Sequence, residues 1–399
     1  MSRFPDLLLP EGTHLLHLGP QKTGSTTLQK VLADRRDDLP ALGVDFPARG
    51  GTRARHAGWW ALRMSAAIGR RPATEQDWDE YVAEVAACTQ PRVLVSNEDF
   101  ARADDAAAAR IVAGLGGERP HVVAVVRRID RYLPSVYQEL VKAGSVTGYE
   151  DWLRLVLADS TPHPGMARLT WDPMDLATLV PRWAGLVGAE NLTLVVADDT
   201  DRALVPDVFC GLLGLPEGFL SGGGEFNQSL GWPAAEVLRA FNADWDRDGA
   251  TRQHYHRLVQ SGVVPGLREL PAVDSPVRLP GLPAWAHELV TARAQAQHRA
   301  LTGSGVRVLG DPGTLLALDP PVTGATAPDT VEVQEAAAML RGMFGAAVRR
   351  DNRQTERLIR RATQLEQARK QPGTPPLDTV PTRALLAELR RRVLGRRDR

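Results

Sequence analysis

Cysteine is nearly absent: Cys88 and Cys210 are the two in 399 residues. Two thiols exclude a disulfide framework and a thiolate metal cluster, and they fit a reducing compartment. Long apolar runs are missing too. No stretch approaches the ~20 apolar residues of a membrane span, and the opening MSRFPDLLLPEG offers only three consecutive leucines, short of a signal-peptide core. The expectation is a soluble, cytoplasmic protein. Neither sign of charge dominates, with 48 basic against 48 acidic residues, so no global field points to nucleic acid and none is expected as a partner. No repeat recurs at a period of 20 to 50 residues. What is present is a hydrophobic fraction of 43% and a charged fraction of 24%, ordinary for a globular protein. The length suits one large α/β domain with extensions. Charge is locally uneven: residues 341–399 hold sixteen Lys and Arg against six Asp and Glu, a balance of +10 that the rest of the chain offsets with −10.

Short runs rich in Val and Leu punctuate the chain. HLLHL (14–18), RVLVS (92–96), HVVAVV (121–126), NLTLVV (191–196) and VRVL (306–309) read as strands, several of them almost wholly apolar, as parallel strands covered on both faces are. Helical patterns fill the gaps, among them 75–88, 131–143, 174–187 and 233–243. Strands alternating with helices predict an α/β fold with a doubly wound parallel sheet flanked by helices. Ligands of such sheets bind at the carboxyl ends of the strands, which here carry GPQKTGSTT, NEDF, RRIDR and ADDT. SGGGE (221–225) reads as a turn and 371–382 as a Pro-rich linker, with basic helical stretches at 331–370 and 383–397.

The run GPQKTGSTT leaves the first strand and opens a helix. Such a turn presents unpaired N–H groups and the positive end of the helix dipole to an anion. Gly24 lets the backbone approach, Lys22 adds a point charge, and Ser25, Thr26 and Thr27 add hydroxyls. The competing reading is a tight strand-to-helix turn that binds nothing. Gly19 and Gly24 have the separation of an ATP or GTP loop, GxxxxGK[ST], but Ser25 stands where the lysine belongs and the cation precedes the glycine. ADDT is a weak second magnesium anchor. The turn therefore reads as a phosphate loop for a donor that needs no metal, and a sulfuryl group suits that description.

PQKTGSTTLQ (20–29) resembles the 5′-phosphosulfate loop of PAPS-dependent sulfotransferases of the bacterial type, commonly PKxGTT or PxKTGTT, with Ser25 in place of the usual Thr. That family's second motif is a strand-end Arg followed eight residues later by a helical Ser, and VVAVVRRIDRYLPSVYQELV (122–141) supplies Arg127 and Ser135. In this reading Asp130 caps the helix and Pro134 sits in its first turn. Looser likenesses lie in RVLVSNEDF, in LVPRWAGLVGAENLTLVV (179–196) and in FNQSLGWPAAEVLRAFN (226–242), where Gln228 replaces a common Arg. The resemblance covers roughly residues 12–245 and implies a P-loop-like α/β domain over 1–325, followed by a helical basic extension over 326–399.

It further implies PAPS as donor and adenosine 3′,5′-bisphosphate (PAP) as product, held by Lys22, Thr23, Gly24, Ser25, Thr26, Thr27, Arg127 and Ser135 without metal. Lys22 stabilises developing charge, as in phosphoryl transfer. The first choice for proton acceptor is Glu98, just past RVLVS, and the second is His56 in GTRARHAGWW. Trp59 and Trp60 are core residues or the wall of an acceptor pocket, and Trp183 packs a helix on the sheet. The acceptor is a hydroxyl, or second an amine, of a carbohydrate or small metabolite. The basic tail reads first as an exposed helix, and otherwise as a contact for an anionic surface or a protein partner. Two rival readings stay open: a P-loop kinase with an atypical loop, and a non-catalytic nucleotide-fold module acting through its tail.

Overall fold

Five of the six strands among the described residues are the apolar runs described above. In a computed structural model, which describes residues 3–23, 25–64, 71–157, 170–222, 230–247, 249–268 and 278–369, they are β1 (Thr13–His17), β3 (Arg92–Ser96), β4 (Arg119–Val126), β5 (Leu192–Val196) and β6 (Arg307–Leu309). The sixth, β2 (Val44–Asp45), is too short to leave a sequence signal. All pairings are parallel, in the order β2-β3-β1-β4-β5-β6. Alternation along each strand sends Leu16, Val93, Val95, Val122, Ala124 and Leu194 into one core and Leu15, Leu94, Val123, Val125 and Val195 into another on the opposite face. The sheet is therefore covered on both sides, which explains why its strands are apolar almost throughout.

The helices that position the crevice are α1 (Ser25–Asp34), α2 (Arg55–Ala61), α3 (Glu75–Ala86), α4 (Asp105–Leu115), α5 (Ile129–Lys142), α6 (Tyr149–Leu157) and α7 (Leu176–Val187). Leu28, Val31 and Leu32 of α1 pack on one face of the sheet, whereas Leu176, Leu179, Val180 and Trp183 of α7 pack on the other. The connections that follow β1 and β4 thus leave toward opposite faces, and a crevice opens between their carboxyl ends. A third core, around Tyr132, Tyr137, Tyr149 and Trp152, anchors α5 against α6 and the later helices.

Helix α5 differs from its expected start. It begins at Ile129, directly off β4, with Arg128 in the N-cap position and the Tyr132 N–H donating to the Arg128 carbonyl at 3.0 Å. Asp130 therefore lies inside the first turn and does not cap it. Pro134 falls within the helix, past the turn where its missing N–H would cost nothing. Asp130 serves instead as an acceptor for Arg128 and for the backbone N–H of Asp319. Helices 75–88, 174–187 and 233–243 form within two or three residues of the expected bounds. The linker 371–382, the stretch 383–397, residues 223–225 of the glycine turn and Gln228 lie outside the described residues.

By internal packing the chain divides into residues 1–344 and 345–399. The first unit holds the sheet. The second holds the distal part of α8 (Val333–Arg369), whose side chains from 347 to 357 are all exposed, as a solvated basic helix requires. Among the described residues no helix is long and apolar enough to cross a membrane.

Trp183 is fully buried between α7 and the sheet, and its indole Nε1 finds no hydrogen-bond partner among the described residues. Trp183→Ala is expected to lose roughly 3–5 kcal/mol in urea denaturation. Trp183→Phe is expected to lose clearly less, because no hydrogen bond is forfeited. Equal losses would mean that the indole N–H matters after all.

Candidate anion-binding site

The exit of β1 is fixed from both neighbours. The N–H groups of Asn97 and Ala101 donate to the carbonyls of His17 and Leu18 at 3.0 and 3.2 Å, and Val125 N–H donates to the Gly19 carbonyl at 2.8 Å. Gly19 has φ +93°, and a Cβ there would lie 2.7–2.9 Å from the Cα, Cβ and carbonyl oxygen of Glu98. Only glycine lets the two strand ends approach this closely. Beneath the exit, burial pushes the His17 imidazole down to about 3, so it is neutral where its Nδ1 meets the Ser96 hydroxyl at 2.8 Å.

The loop then closes on itself, with the Thr23 hydroxyl donating to the Pro20 carbonyl at 2.7 Å. Thr23 thus spends its proton inside the turn. Lys22 takes a left-handed conformation, φ +70°, which costs a side-chain-bearing residue about 1–2 kcal/mol. Two contacts from the β4–α5 segment offset that strain. Arg127 Nη1 donates to the Lys22 carbonyl at 2.9 Å, and Lys22 Nζ donates to Glu139 Oε1 at 2.6 Å. The two sequence motifs, 105 residues apart, are thereby brought into direct contact. Ser135 lies one turn before Glu139 on α5, on the same helical face, and is half-buried. Helix α1 starts at Ser25, so its first N–H groups open beside these cations. Gly24 and the side chains of Ser25 and Thr26 lie outside the described residues.

Each cation here has a carboxylate partner that sequence reasoning missed. Glu139 accepts from Lys142 at 2.8 Å as well as from Lys22. Burial works to raise its pKa, but the charges of Lys142 and Lys22 outweigh burial and hold the carboxyl at about 2. Arg127 Nη2 donates to Asp199 Oδ1 at 2.8 Å, and Arg131 Nε lies 3.7 Å from Asp199 Oδ2. Asp319 pairs with Arg131 at 2.6 Å and with Arg128 at 2.7 Å. Glu139 was legible in principle, because i and i+4 share a helical face. Asp199 belongs to the strand exit ADDT, but its pairing across from β5 to β4 exists only once the sheet has formed.

Glu98 occupies the far wall, and the structure encloses it more than its position after a strand suggests. Arg53, folded inward from the segment before α2, pairs with Glu98 Oε1 and lies 3.6 Å from Asp99. Glu98 Oε2 is buried with no hydrogen-bond partner among the described residues. Asp99 ties the wall together: its Oδ1 accepts from Gln21 of the loop and from Arg102, each at 2.9 Å, and its Oδ2 accepts from Trp59 Nε1 at 3.3 Å. His56, half-buried on α2, meets Trp59 edge-on with ring centroids 5.4 Å apart. Trp59 is a buried core residue, and Trp60 stacks on Trp78 at 6.0 Å.

This geometry defines a parallel α/β protein whose carboxylate-paired cations gather at the exits of β1, β4 and β5. No family model matches the chain, and no curated protein matches it. Among solved structures it is similar to a sulfotransferase from Alicyclobacillus acidocaldarius, at 15% identity, with a TM-score of 0.38, over 62% of this chain and 95% of that one.

The depressed Glu139 carboxyl links the site to acid stability. An ordinary glutamate titrates near 4.5 and Glu139 near 2, so its contribution is complete above about pH 4.5 and is lost as pH falls toward 2. Between pH 6 and pH 3 the wild type is expected to lose more stability than Glu139→Gln, read as the shift in urea midpoint. Parallel losses in the two proteins would remove Glu139 and its two lysines from the explanation.

Proposed function

We propose that the protein is a PAPS-dependent sulfotransferase that moves a sulfuryl group to a hydroxyl of a carbohydrate or small metabolite. The observation that carries this reading is the hydrogen bond from Arg127 to the Lys22 carbonyl, which joins the loop expected to hold a 5′-phosphosulfate to the Arg expected to hold a 3′-phosphate. The residues present fit a nucleotide bearing anions at two positions: two cation groups, Lys22 with Lys142 and Arg127 with Arg131, meet at the loop that opens α1. Such a donor supplies a sulfuryl group attached to a stable phosphate leaving group.

The chain's own residues then have definable tasks. Lys22 and the N–H groups at the start of α1 neutralise charge that develops on the leaving oxygen. Arg127, fixed by the loop carbonyl through Nη1, offers Nη2 to the 3′-phosphate, with the Ser135 hydroxyl beside it. In the transfer, the bond from the acceptor oxygen to sulfur forms as the bond from sulfur to the phosphate oxygen breaks, and the acceptor's proton passes to a base. Glu98 through Oε2 is the proposed base and His56 the alternative. Positioning supplies most of the acceleration, as in other in-line transfers.

Calorimetric titration with adenosine 3′,5′-bisphosphate and with ATP, each with magnesium and with chelator, tests the donor. Bisphosphate binding indifferent to magnesium is expected, falling at least tenfold in Arg127→Ala. Magnesium-dependent ATP binding with none for the bisphosphate would overturn the reading in favour of a kinase. For the base, Glu98→Gln is expected to abolish sulfuryl transfer to the acceptor while bisphosphate affinity persists. Activity that survives Glu98→Gln but disappears in His56→Ala would transfer the role to His56.

A further inference from the structure

Arg127 uses its two terminal nitrogens differently. Nη1 is committed to the Lys22 carbonyl and is structural. Nη2 is bound by Asp199, whose other oxygen lies 3.7 Å from Arg131 Nε. Asp199 therefore bridges the two guanidiniums that an anion beside Arg127 would contact. Its side chain is 49% exposed on a bend after β5, and Arg127 is 25% exposed, so the pair is reachable from solvent and the carboxylate has room to swing away. Its neighbour Asp198 is differently occupied, accepting from the N–H and hydroxyl of Thr200 at 2.8 and 2.7 Å.

We infer that Asp199 is a specificity-determining residue of this crevice, competing with a ligand's phosphate for Arg127 and Arg131 and accepting a hydroxyl where that phosphate is absent. The inference rests on the proposed bisphosphate site. A 3′-phosphate must displace the carboxylate, because two anions cannot share Arg127 Nη2 at hydrogen-bond distance without repulsion. A nucleotide with a free 3′-hydroxyl meets the opposite situation: the hydroxyl donates to Asp199 and the ion pairs stay intact, the logic by which an acidic residue reads a ribose hydroxyl in dinucleotide folds. Asp199 thus narrows the preference for the phosphorylated over the unphosphorylated nucleotide.

The test measures the dissociation constants of adenosine 3′,5′-bisphosphate and adenosine 5′-monophosphate for the wild type, Asp199→Asn and Asp198→Asn. In Asp199→Asn the bisphosphate is expected to bind about two- to fivefold tighter, the range for release of a partly exposed ion pair. The monophosphate is expected to bind no tighter, so the ratio between the two widens. Asp198→Asn carries the same change in net charge and is expected to leave the ratio unchanged. Weaker bisphosphate binding in Asp199→Asn would show that the carboxylate orients Arg127 and would overturn the inference. Equal tightening of both nucleotides, or the same gain in Asp198→Asn, would also overturn it, leaving only a general charge effect. Absence of bisphosphate binding in the wild type would instead remove the proposed function itself.

Discussion

The crevice depends on one hydrogen bond, from the guanidinium of Arg127 to the carbonyl of Lys22. A lysine in the left-handed region is strained, and a strained residue persists only where its surroundings over-determine it. Arg127 holds the backbone at that point while Glu139 holds the side chain. Both come from the β4–α5 segment, so the shape of the loop after β1 is set by the strand beside it. The parallel pairing of β1 with β4 is thus the scaffold on which any anion site here must be built.

Each of three carboxylates in the crevice is shared by two cations. Lys22 and Lys142 share Glu139, Arg127 and Arg131 share Asp199, and Arg128 and Arg131 share Asp319. Such sharing offsets the repulsion among cations held side by side. On the opposite wall, Arg53, Glu98, Asp99, Arg102 and Gln21 form a second polar network. Glu98 and Asp99 at its centre are buried, and its hydrogen bonds link the loop to α2 and to the exit of β3. One wall is therefore partly exposed to solvent and the other is largely enclosed.

Much of the fold was legible because its signals are local. Apolar runs of four to six residues marked five strands, and helical periodicity marked α3, α5 and α7 to within a few residues. β2 was missed because two residues carry no period. The start of α5 was misread because Asp130 and Pro134 look like cap and first-turn residues, whereas the chain turns helical directly off β4 and Asp130 becomes a partner for Arg128 and the Asp319 backbone. Glu98 was legible as a strand-exit carboxylate. Its enclosure by Arg53 was not, since Arg53 lies 45 positions earlier and reaches it only through the fold.

The sequence by itself determined the parallel α/β class, the glycine-bearing turn after β1 and the arginine at the end of β4, because each follows from periodicity or from a motif within a few residues. Tertiary structure alone decided that Lys22 points to Glu139, that Asp199 bridges Arg127 and Arg131, and that Glu98 is walled in. Those contacts join loops and helices that follow different strands, and their partners are selected by the strand order β3-β1-β4-β5. No spacing rule along the chain encodes that order.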